Sequence, residues 1–387
     1  MRKIKVLRLI ARMNVGGPAI QISGLMRGLP FESFEQKLVT GFCDKNEADF
    51  LEINELNISH TKIDGFGRSV NLFSDLKVLF AIRREIKAFD PDIIHTHTAK
   101  AGFLGRLASL SLLKQQIRVH TFHGHLLHSY FGKFKTRLVI LAERMLAQST
   151  DRLIAVGEQV RDELLDVKIG TYDKFVVIGP GLELAEMPSR KTARELFHIP
   201  EDEFVVTWIG RMVPVKAPNR IIELAQECQR RGLKIRFVLA GDGPLSSELK
   251  KLSEPLKLLI TYLGWQSEIE KVLSISDVVI LTSENEGTPV VLIQAQMAGI
   301  PVITTDVGSA SEVMIHQRTG FCLRYSAAEF ADTIENLAEN SVLRSSFGAA
   351  GKCNALEKFS LDRLVSDHEK LYKDLINQSK SSPRVPT

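Results

Sequence analysis

The segment 283–289 places a carboxylate, a glycine and a helix start directly after an apolar strand. Glu286 and Gly287 lie in the turn, and Thr288 and Pro289 suit the N-cap and the first position of the helix. A helix N-terminus in this setting attracts anions, because its free N–H groups and its dipole point at the ligand. Gly287 also lets a ligand approach the backbone closely. The pattern predicts an anion site, and an ordinary strand-to-helix turn is the alternative.

Two cations follow another apolar strand, which is predicted over 204–209. Arg211 and Lys216 come just beyond its end, where parallel sheets hold their ligands. Cations at this place stabilise negative charge that develops on a ligand. Arginine offers a planar fork of donors and lysine offers a point charge. For such a pair taken alone, a solvated loop is the alternative.

Two glycine-containing turns also follow predicted strands. Gly16 and Gly17 come after the first strand, and Gly241 and Gly243 come after a later one. Neither turn has the G-x-G-x-x-G spacing of dinucleotide-binding proteins, so we predict no NAD site. Each turn either lets backbone approach a phosphate or nucleotide, or is only a tight turn. Trp265, beyond a third strand, either stacks on a base or packs at the surface.

Short apolar strands alternate with amphipathic helices along the whole chain, which predicts βαβ units and parallel sheets. The fold class is therefore α/β, with two Rossmann-like, doubly wound domains that face a central cleft. The predicted strands cover 5–10, 36–40, 93–96, 118–121, 152–155 and 175–178, and then 204–209, 235–240, 260–263, 278–281 and 302–304.

Strong chain breakers at 179–190 predict the domain boundary. We expect a first domain over 1–183, a second domain over 190–360, a C-terminal helix over 361–378 and a flexible tail over 379–387.

The composition is that of an ordinary globular protein. Of the 387 residues, 44% are hydrophobic and 25% are charged, and the net charge is +4. No apolar run reaches the length of about 18–20 residues that spans a bilayer, and the apolar start is too short for a signal peptide. We therefore expect a cytoplasmic protein, either free or peripherally bound to the inner face of the cytoplasmic membrane. Four scattered cysteines predict neither a disulfide nor a zinc site.

Positive charge is concentrated in one part of the first half. Residues 93–150 hold eight basic residues and one acid, which indicates an anionic partner. Lys100 and Arg106 lie near the start of a predicted helix, beside the expected cleft. The segment 130–135 mixes aromatic and cationic residues, which suits the surface of an anionic membrane, and a solvated loop is the alternative. No nucleic-acid recognition motif accompanies the charge, so nucleic acid is not a predicted partner.

Six of the ten histidines also lie in residues 93–150. His95 and His97 alternate along a strand, and His123 and His125 follow another. Zinc needs about four tetrahedral ligands, and no local spacing here supplies them. The D-x-D spelling at 90–92 precedes a strand, where the proline simply begins it. We predict no metal and no cofactor.

In this order along the chain, the motifs resemble the retaining glycosyltransferases of family 4, also known as glycosyl transferases group 1. That family includes sucrose synthases, bacterial glycogen synthases and mannosyltransferases. The resemblance covers nearly the whole chain, and the stretch 95–107 is similar to members that build bacterial surface polysaccharides. The matching positions are Gly16, Gly17, His123, Arg211, Lys216, Gly241, Gly243 and Glu286.

The resemblance implies the GT-B fold, in which 1–183 binds the acceptor, 190–360 binds the nucleotide sugar and the helix over 361–378 crosses back to the first domain. It also implies a role for each matching residue. It assigns Glu286 to the hydroxyls of the donor sugar, Arg211 and Lys216 to the donor diphosphate, and His123 to a sugar hydroxyl. One position departs from the family, because Gln294 stands where a glutamate usually holds the ribose, so the charge-assisted part of those hydrogen bonds is lost. The remaining donor-site residues implied are Trp265, Gly287, Thr288 and Pro289, and Lys100 is the implied acceptor-site cation.

The expected activity is transfer of a sugar, with retention, from a nucleotide-diphosphate sugar to an acceptor. The family favours a UDP-sugar as donor, and a glycan or a polyprenyl-diphosphate-linked sugar as acceptor. Two alternatives stay open. A sugar-nucleotide epimerase of the same fold would need acid and base carboxylates in the first domain, and residues 93–142 contain none. A non-catalytic nucleotide-sugar-binding subunit would explain Gln294.

Overall fold

The chain divides into two compact units. A computed structural model describes residues 2–44, 47–54, 58–67, 71–112, 116–124 and 133–381, and only the backbone of 133–135. Unit 1 comprises Met1–Leu182 together with Leu361–Thr387, and unit 2 comprises Glu183–Ser360. Each unit is built on one parallel sheet with its own hydrophobic core.

Unit 1 contains a seven-stranded sheet in the order β3-β2-β1-β4-β5-β6-β7. Every neighbouring pair is parallel, and Val6 of the central strand lies opposite Ile93 on one side and Gln36 on the other. The strands are β1 (Ile4–Arg12), β2 (Phe34–Gly41), β3 (His60–Lys62), β4 (Ile93–His97), β5 (Ile117–Phe122), β6 (Arg152–Ala155) and β7 (Phe175–Val177).

Helices cover both faces of this sheet, so its central strands are apolar along their whole length. Leu7 and Leu9 pack with α3 and α4 on one face, whereas Val6 packs with α1 and α14 on the other. The helices are α1 (Gly17–Gly28), α2 (Phe50–Ile53), α3 (Leu72–Phe89), α4 (Ala99–Leu110), α5 (Lys133–Gln148) and α6 (Glu158–Asp166), and α14 (Leu361–Ser381) returns from the far end of the chain.

Unit 2 contains a six-stranded parallel sheet in the order β10-β9-β8-β11-β12-β13. Its strands are β8 (Phe204–Ile209), β9 (Ile235–Ala240), β10 (Ile260–Gly264), β11 (Val278–Leu281), β12 (Val302–Thr305) and β13 (Gly320–Leu323). Its helices are α7 (Arg190–Leu196), α8 (Asn219–Arg230), α9 (Ser246–Ser253), α10 (Ile269–Ser274), α11 (Val290–Met297), α12 (Ala327–Glu339) and α13 (Ser341–Phe359).

In both sheets the strand order reverses direction at one point. The reversal lies between β1 and β4 in unit 1 and between β8 and β11 in unit 2. The connections that leave such a pair of strands run to opposite faces of the sheet and leave a crevice at the strands' carboxyl ends, where open α/β sheets bind ligands. Each unit therefore has one topologically defined place for a site.

A buried polar network fastens α14 to the sheet of unit 1. The guanidinium of Arg8 is fully buried and donates to the Tyr372 hydroxyl at 2.7 Å and to Gln36 at 3.0 Å. The Tyr372 oxygen also lies 2.7 Å from Nδ1 of His95, whose Nε2 lies 2.7 Å from the Thr121 hydroxyl. Nδ1 of His95 also lies 3.2 Å from the Arg8 guanidinium, which can only donate, so Nδ1 accepts and the ring proton is on Nε2.

The prediction of two doubly wound parallel-sheet domains is confirmed. The predicted strand set lacked two short edge strands, β3 and β13. The sequence of β3 is the polar His-Thr-Lys, and β13 has only four residues and begins with glycine. The predicted tail began too early, because α14 is helical through Ser381. Within the described residues, no helix combines the length and the apolar character needed to cross a membrane.

Candidate active site

An ion pair at the strand-order reversal of unit 2 joins two of the predicted site residues. Lys216 follows β8 and Glu286 follows β11, and the Lys216 ammonium lies 2.5 and 2.7 Å from the two carboxylate oxygens. The Ser283 hydroxyl donates to the same carboxylate at 2.6 Å. The Glu286 side chain is only 7% exposed, whereas that of Lys216 is 26% exposed. The pair therefore lies at the edge of the crevice, with the carboxylate on its inner side.

Further hydrogen bonds hold the two loops that carry this pair. The Thr282 hydroxyl donates to the carbonyl of Ala217 at 3.1 Å, and the Glu284 N–H donates to the carbonyl of Val215 at 2.8 Å. The Thr305 hydroxyl, at the end of β12, donates to the carbonyl of Ser283 at 2.7 Å. These bonds fix the backbone on both sides of the ion pair, so its geometry is set before any ligand arrives.

The glycine turn after β9 packs directly against the loop after β8. A Cβ atom added to Gly241 would lie 1.9 Å from the carbonyl oxygen of Gly210, and one added to Gly243 would lie 2.6 Å from that of Met212. The two loops also exchange backbone hydrogen bonds, from Met212 N–H to the Asp242 carbonyl among others. Close backbone packing therefore requires both glycines, irrespective of any nucleotide.

The helix after Glu286 starts one residue later than predicted. Pro289 is the N-cap, with φ −74° and ψ 98°, and α11 begins at Val290, so the assignment of Thr288 as N-cap and Pro289 as first helical residue was wrong. The extended ψ of Pro289 keeps it outside the helix. Gln294 lies in the second turn of α11 and is half-buried.

The other predicted residues of unit 2 lie around the same carboxyl edge. Arg211 follows β8 and is exposed, and Gly287 and Thr288 are half-buried beyond Glu286. Trp265 follows β10 and is 48% exposed. The structure thus brings Lys216 and Glu286 into contact, and it leaves Arg211 and Trp265 on the surface.

In unit 1, the predicted glycines lie at the start of α1, beyond β1. Gly16 is the N-cap of α1 and Gly17 is its first residue. A Cβ atom added to Gly16 would approach nothing closer than Pro18, whose Cδ would lie 4.0 Å away. Packing within unit 1 therefore does not explain the missing side chain at Gly16, in contrast to Gly241.

His123 follows β5 and shares a hydrogen bond with His97 at the end of β4. Nδ1 of His97 lies 2.9 Å from Nε2 of His123, and the His97 ring is buried. The strands β1, β4 and β5 are neighbours, so Gly16, His97 and His123 all lie at one edge of the sheet. The sequence pattern raised His97 only as a metal ligand, and its contact with His123 is the additional site feature that the structure supplies.

These histidines are held in the neutral form. Burial lowers the pKa of His123 to about 4, and burial followed by the charge of Arg8 lowers that of His368 to about 3. The pKa of His95 and that of His97 are also lowered well below 6.5, with burial as the main cause. A neutral His123 can donate or accept a hydrogen bond but carries no charge toward a ligand at neutral pH.

Thr98, the residue after His97, has a strained backbone. Its φ is 67° and its ψ is 158°, a region that is nearly restricted to glycine, and its hydroxyl is buried without a hydrogen-bond partner. Such strain persists only where the surrounding structure imposes it, and it is concentrated at functional sites. No sequence pattern marked Thr98, because an ordinary threonine between a strand and a helix carries no signal of its conformation.

The two cations predicted near the acceptor site have structural partners. Lys100 pairs with Asp75 of α3 at 2.7 Å. Arg106 is fully buried and pairs with Glu143 of α5 at 2.6 Å, so its interpretation as a site cation was wrong. The charge of Arg106 alone could not predict that this residue lies on the buried side of α4. The aromatic and cationic segment 130–135 lies outside the residues whose side chains are described.

The described residues contain no group of three or more His, Cys, Asp or Glu side chains suited to holding a metal ion. His125, one of the four histidines considered for such a group, is not among them.

Two family models together match most of the chain. The model for glycosyltransferase family 4 matches residues 15–186, and the model for glycosyl transferases group 1 matches residues 189–353. The chain belongs to glycosyltransferase family 4 and has the GT-B fold. It is therefore a glycosyltransferase.

Characterised relatives of this glycosyltransferase match along most of their length. The UDP-Gal:alpha-D-GlcNAc-diphosphoundecaprenol alpha-1,3-galactosyltransferase of Escherichia coli is 26% identical over 358 residues, which is 90% of this chain and 91% of the relative. The capsular polysaccharide biosynthesis glycosyltransferase CapM of Staphylococcus aureus is 25% identical over 325 residues, covering 81% and 84%.

Solved structures share the whole fold. HepE of Anabaena, solved with UDP and glucose, superposes with a TM-score of 0.80 at 18% identity, covering 96% of this chain and 99% of that one. A glycosyltransferase of Rickettsia africae superposes with a TM-score of 0.79 at 21% identity, covering 97% and 99%.

Alanine substitutions in the two glycine turns are expected to change stability by different amounts. Gly241→Ala forces a Cβ atom against the Gly210 carbonyl, and we expect the free energy of unfolding to fall by about 1–3 kcal/mol. Gly16→Ala meets open space at an extended backbone angle, and we expect a change below about 0.5 kcal/mol. Denaturant unfolding of both variants checks this. Equal stabilities would contradict the packing account of Gly241.

The buried histidines predict a loss of stability in acid. Their pKa values are lower in the folded chain than in the unfolded chain, so the unfolded state takes up protons first as the pH falls below about 6.5. The free energy of unfolding should therefore fall steadily from pH 6.5 toward pH 4, by up to about 1.4 kcal/mol per pH unit for each such histidine.

Denaturant titrations between pH 7.5 and pH 4.5 measure this dependence. His123→Gln should reduce the slope by about one proton. His198→Gln, which changes a solvent-exposed histidine, serves as the control. A free energy of unfolding that stays constant from pH 6.5 to pH 4.5 would show that the histidines are not held neutral.

Proposed function

We propose that this glycosyltransferase acts with retention and moves a sugar from a UDP-sugar to a glycan or a polyprenyl-diphosphate-linked acceptor in cell-surface polysaccharide synthesis. The observation that carries the proposal is the Lys216–Glu286 ion pair at the strand-order reversal of unit 2. The names of the relatives support the substrates, since one includes a UDP-sugar and a diphosphoundecaprenol acceptor and another refers to capsular polysaccharide.

In this proposal, unit 2 binds the donor. Glu286 accepts hydrogen bonds from hydroxyls of the donor sugar, and Lys216 binds the diphosphate. An ammonium group has three N–H donors, so Lys216 can keep its contact with Glu286 and still donate to a phosphate oxygen. Its partial exposure beside a buried carboxylate is consistent with this double use. Arg211, exposed beyond β8, supplies a second cation for the diphosphate.

The proposed reaction requires no protein nucleophile. The bond from the anomeric carbon to the UDP oxygen breaks, the acceptor hydroxyl attacks the same face of the sugar, and its proton passes to the leaving diphosphate. Lys216 and Arg211 stabilise the charge that the diphosphate gains, and electrostatic stabilisation of this kind is usually the largest single contribution to catalysis. We propose that the reaction proceeds without a metal, with these two cations in its place.

Unit 1 binds the acceptor in this proposal. The hydrogen bond with His97 occupies Nε2 of His123, so Nδ1 is the nitrogen that faces a sugar hydroxyl. A neutral ring suits hydrogen bonding to a hydroxyl group, and the hydrogen bond with His97 holds the orientation of the His123 ring. The open space beside Gly16 leaves room for a phosphate or an acceptor group. Lys100, already paired with Asp75, contributes positive charge at the same edge.

In this proposal Gln294 binds the ribose of the donor, with weaker hydrogen bonds than a glutamate would form. An amide can accept from one ribose hydroxyl and donate to the other, without the charge assistance that a glutamate gives. We propose that the nucleotide is still bound. The enzyme acts on the inner face of the cytoplasmic membrane, in peripheral contact with anionic lipid, because a polyprenyl-linked acceptor is held there.

Labelled UDP-, GDP- and ADP-sugars, incubated with the protein and a membrane lipid extract, test the proposal. We expect transfer from a UDP-sugar into lipid with the anomeric configuration retained. Glu286→Gln keeps the shape of the side chain but removes its charge, and we expect transfer to fall by about a hundredfold or more. Glu284→Gln, two residues away on an exposed side chain, is the matched control and should keep full transfer.

Three outcomes would contradict the proposal. Full transfer by Glu286→Gln would show that the charge of Glu286 is not needed in the donor site, provided that both variants unfold at the wild-type temperature. Binding of a nucleotide sugar without any turnover would indicate a non-catalytic subunit. Release of an epimerised nucleotide sugar without an acceptor would indicate an epimerase.

A further inference from the structure

The outer surface of α3, α4 and α5 in unit 1 is apolar. Of the 21 large apolar side chains that are exposed among the described residues, ten lie on these three helices. Monomeric soluble proteins rarely expose apolar side chains in one large contiguous patch without a function. We call this surface the outer helical face, and its defining residues are Leu76, Phe80, Phe103, Leu107, Leu138 and Leu141.

The exposed side chains form one continuous surface because the three helices are neighbours. The pair of Lys100 with Asp75 joins α4 to α3, and the pair of Arg106 with Glu143 joins α4 to α5. Right-handed crossovers place all three helices on the same face of the sheet. On each helix the exposed apolar residues are spaced three or four apart, which aligns them along the side that points away from the sheet.

The exposed charges on these helices have one sign. Among the described side chains, the acids of the three helices are engaged elsewhere, since Asp75 and Glu85 form ion pairs and Glu143 is buried. The exposed charged residues are all cations, namely Lys77, Arg84, Lys87 and Arg137.

We infer that the outer helical face docks the protein onto an anionic phospholipid bilayer. Apolar side chains on amphipathic helices enter the boundary between head groups and acyl chains, and neighbouring cations bind the anionic head groups. A second copy of this chain is a poor occupant, because an identical face would bring cations against cations. The inference deepens the proposed function, on which it rests for the lipid-linked acceptor.

The patch also reaches the edge of unit 1 where the acceptor is proposed to bind. Helices α3 and α4 begin at the carboxyl edge of the sheet, and Phe73 and Phe103 lie near their first turns. Gly16 and His123 lie at that same edge. A bilayer on the outer helical face would therefore bring a polyprenyl diphosphate close to these residues while its chain stays in the lipid.

Flotation of the full-length protein with vesicles tests the inference. One set of vesicles is pure phosphatidylcholine, and in the other about a third of the lipid is phosphatidylglycerol, which supplies the negative surface. We expect binding to the anionic vesicles to be at least about tenfold stronger, and to weaken as salt screens the cations.

Two double variants separate the contributions. Leu76→Gln with Phe80→Gln should reduce binding to anionic vesicles by more than about tenfold, because both apolar groups leave the lipid. Lys77→Gln with Arg84→Gln should reduce it by about fivefold for each cation, which corresponds to about 1 kcal/mol. Leu252→Gln with Val342→Gln removes exposed apolar groups from unit 2 and should bind as the wild type does.

Thermal unfolding with and without a UDP-sugar accompanies each variant, so that loss of folding and loss of donor binding are seen separately. Vesicle binding that is absent, or that the outer-face variants leave unchanged, would overturn the inference even if sugar transfer is intact. A change of oligomeric state in those variants, measured by light scattering, would instead assign the face to a protein contact. Vesicle binding by a protein that binds no UDP-sugar would support membrane docking by the outer helical face and would contradict the proposed function.

Discussion

The buried carboxylate of Glu286 is the constraint on which the site in unit 2 depends. A carboxylate that is only 7% exposed requires a cation and hydrogen bonds, and removing a partner from such a buried pair typically costs about 3–5 kcal/mol. Lys216 and Ser283 supply these contacts. Because Lys216 follows β8 and Glu286 follows β11, satisfying the carboxylate also fixes two loops against each other at the point where the strand order reverses.

A comparable constraint acts in unit 1, where α14 returns from the end of the chain. Arg8 is buried without a carboxylate partner and depends on the Tyr372 hydroxyl, on Gln36 and on the face of the Tyr372 ring. The same hydroxyl orients His95, whose ring lies 4.1 Å from that of His97, and His97 contacts His123. Burial, together with the positive charge of Arg8 near His95 and His97, holds this row of rings neutral, so His123 at the end of the row offers a ligand hydrogen bonds and no charge.

Much of the fold could be predicted from the sequence because central strands of a parallel sheet are short, β-branched and bounded by breakers. β8, β9 and β11 were predicted to the residue for this reason. The edge strand β3 was not predicted, because it pairs on one side only and does not need an apolar sequence. The positions of the candidate site residues along the chain could be predicted, because these glycines and charged residues follow strands. The partner of each charged side chain could not be predicted. The contact of Lys216 with Glu286 joins residues 70 positions apart, and the burial of Arg106 depends on Glu143 of another helix.

Calorimetric titration of UDP into wild-type protein and into Lys216→Gln tests whether Lys216 binds both the Glu286 carboxylate and the diphosphate. Glutamine can still donate to the Glu286 carboxylate, so the variant removes the positive charge while keeping a hydrogen bond in the loop. If Lys216 serves both the carboxylate and the diphosphate, the affinity for UDP should fall by about tenfold or more, or about 1.4 kcal/mol, with Lys251→Gln on an exposed face of α9 as the unaffected control. An affinity for UDP equal to that of the wild type would contradict the account and would leave the Lys216–Glu286 pair with a purely structural role.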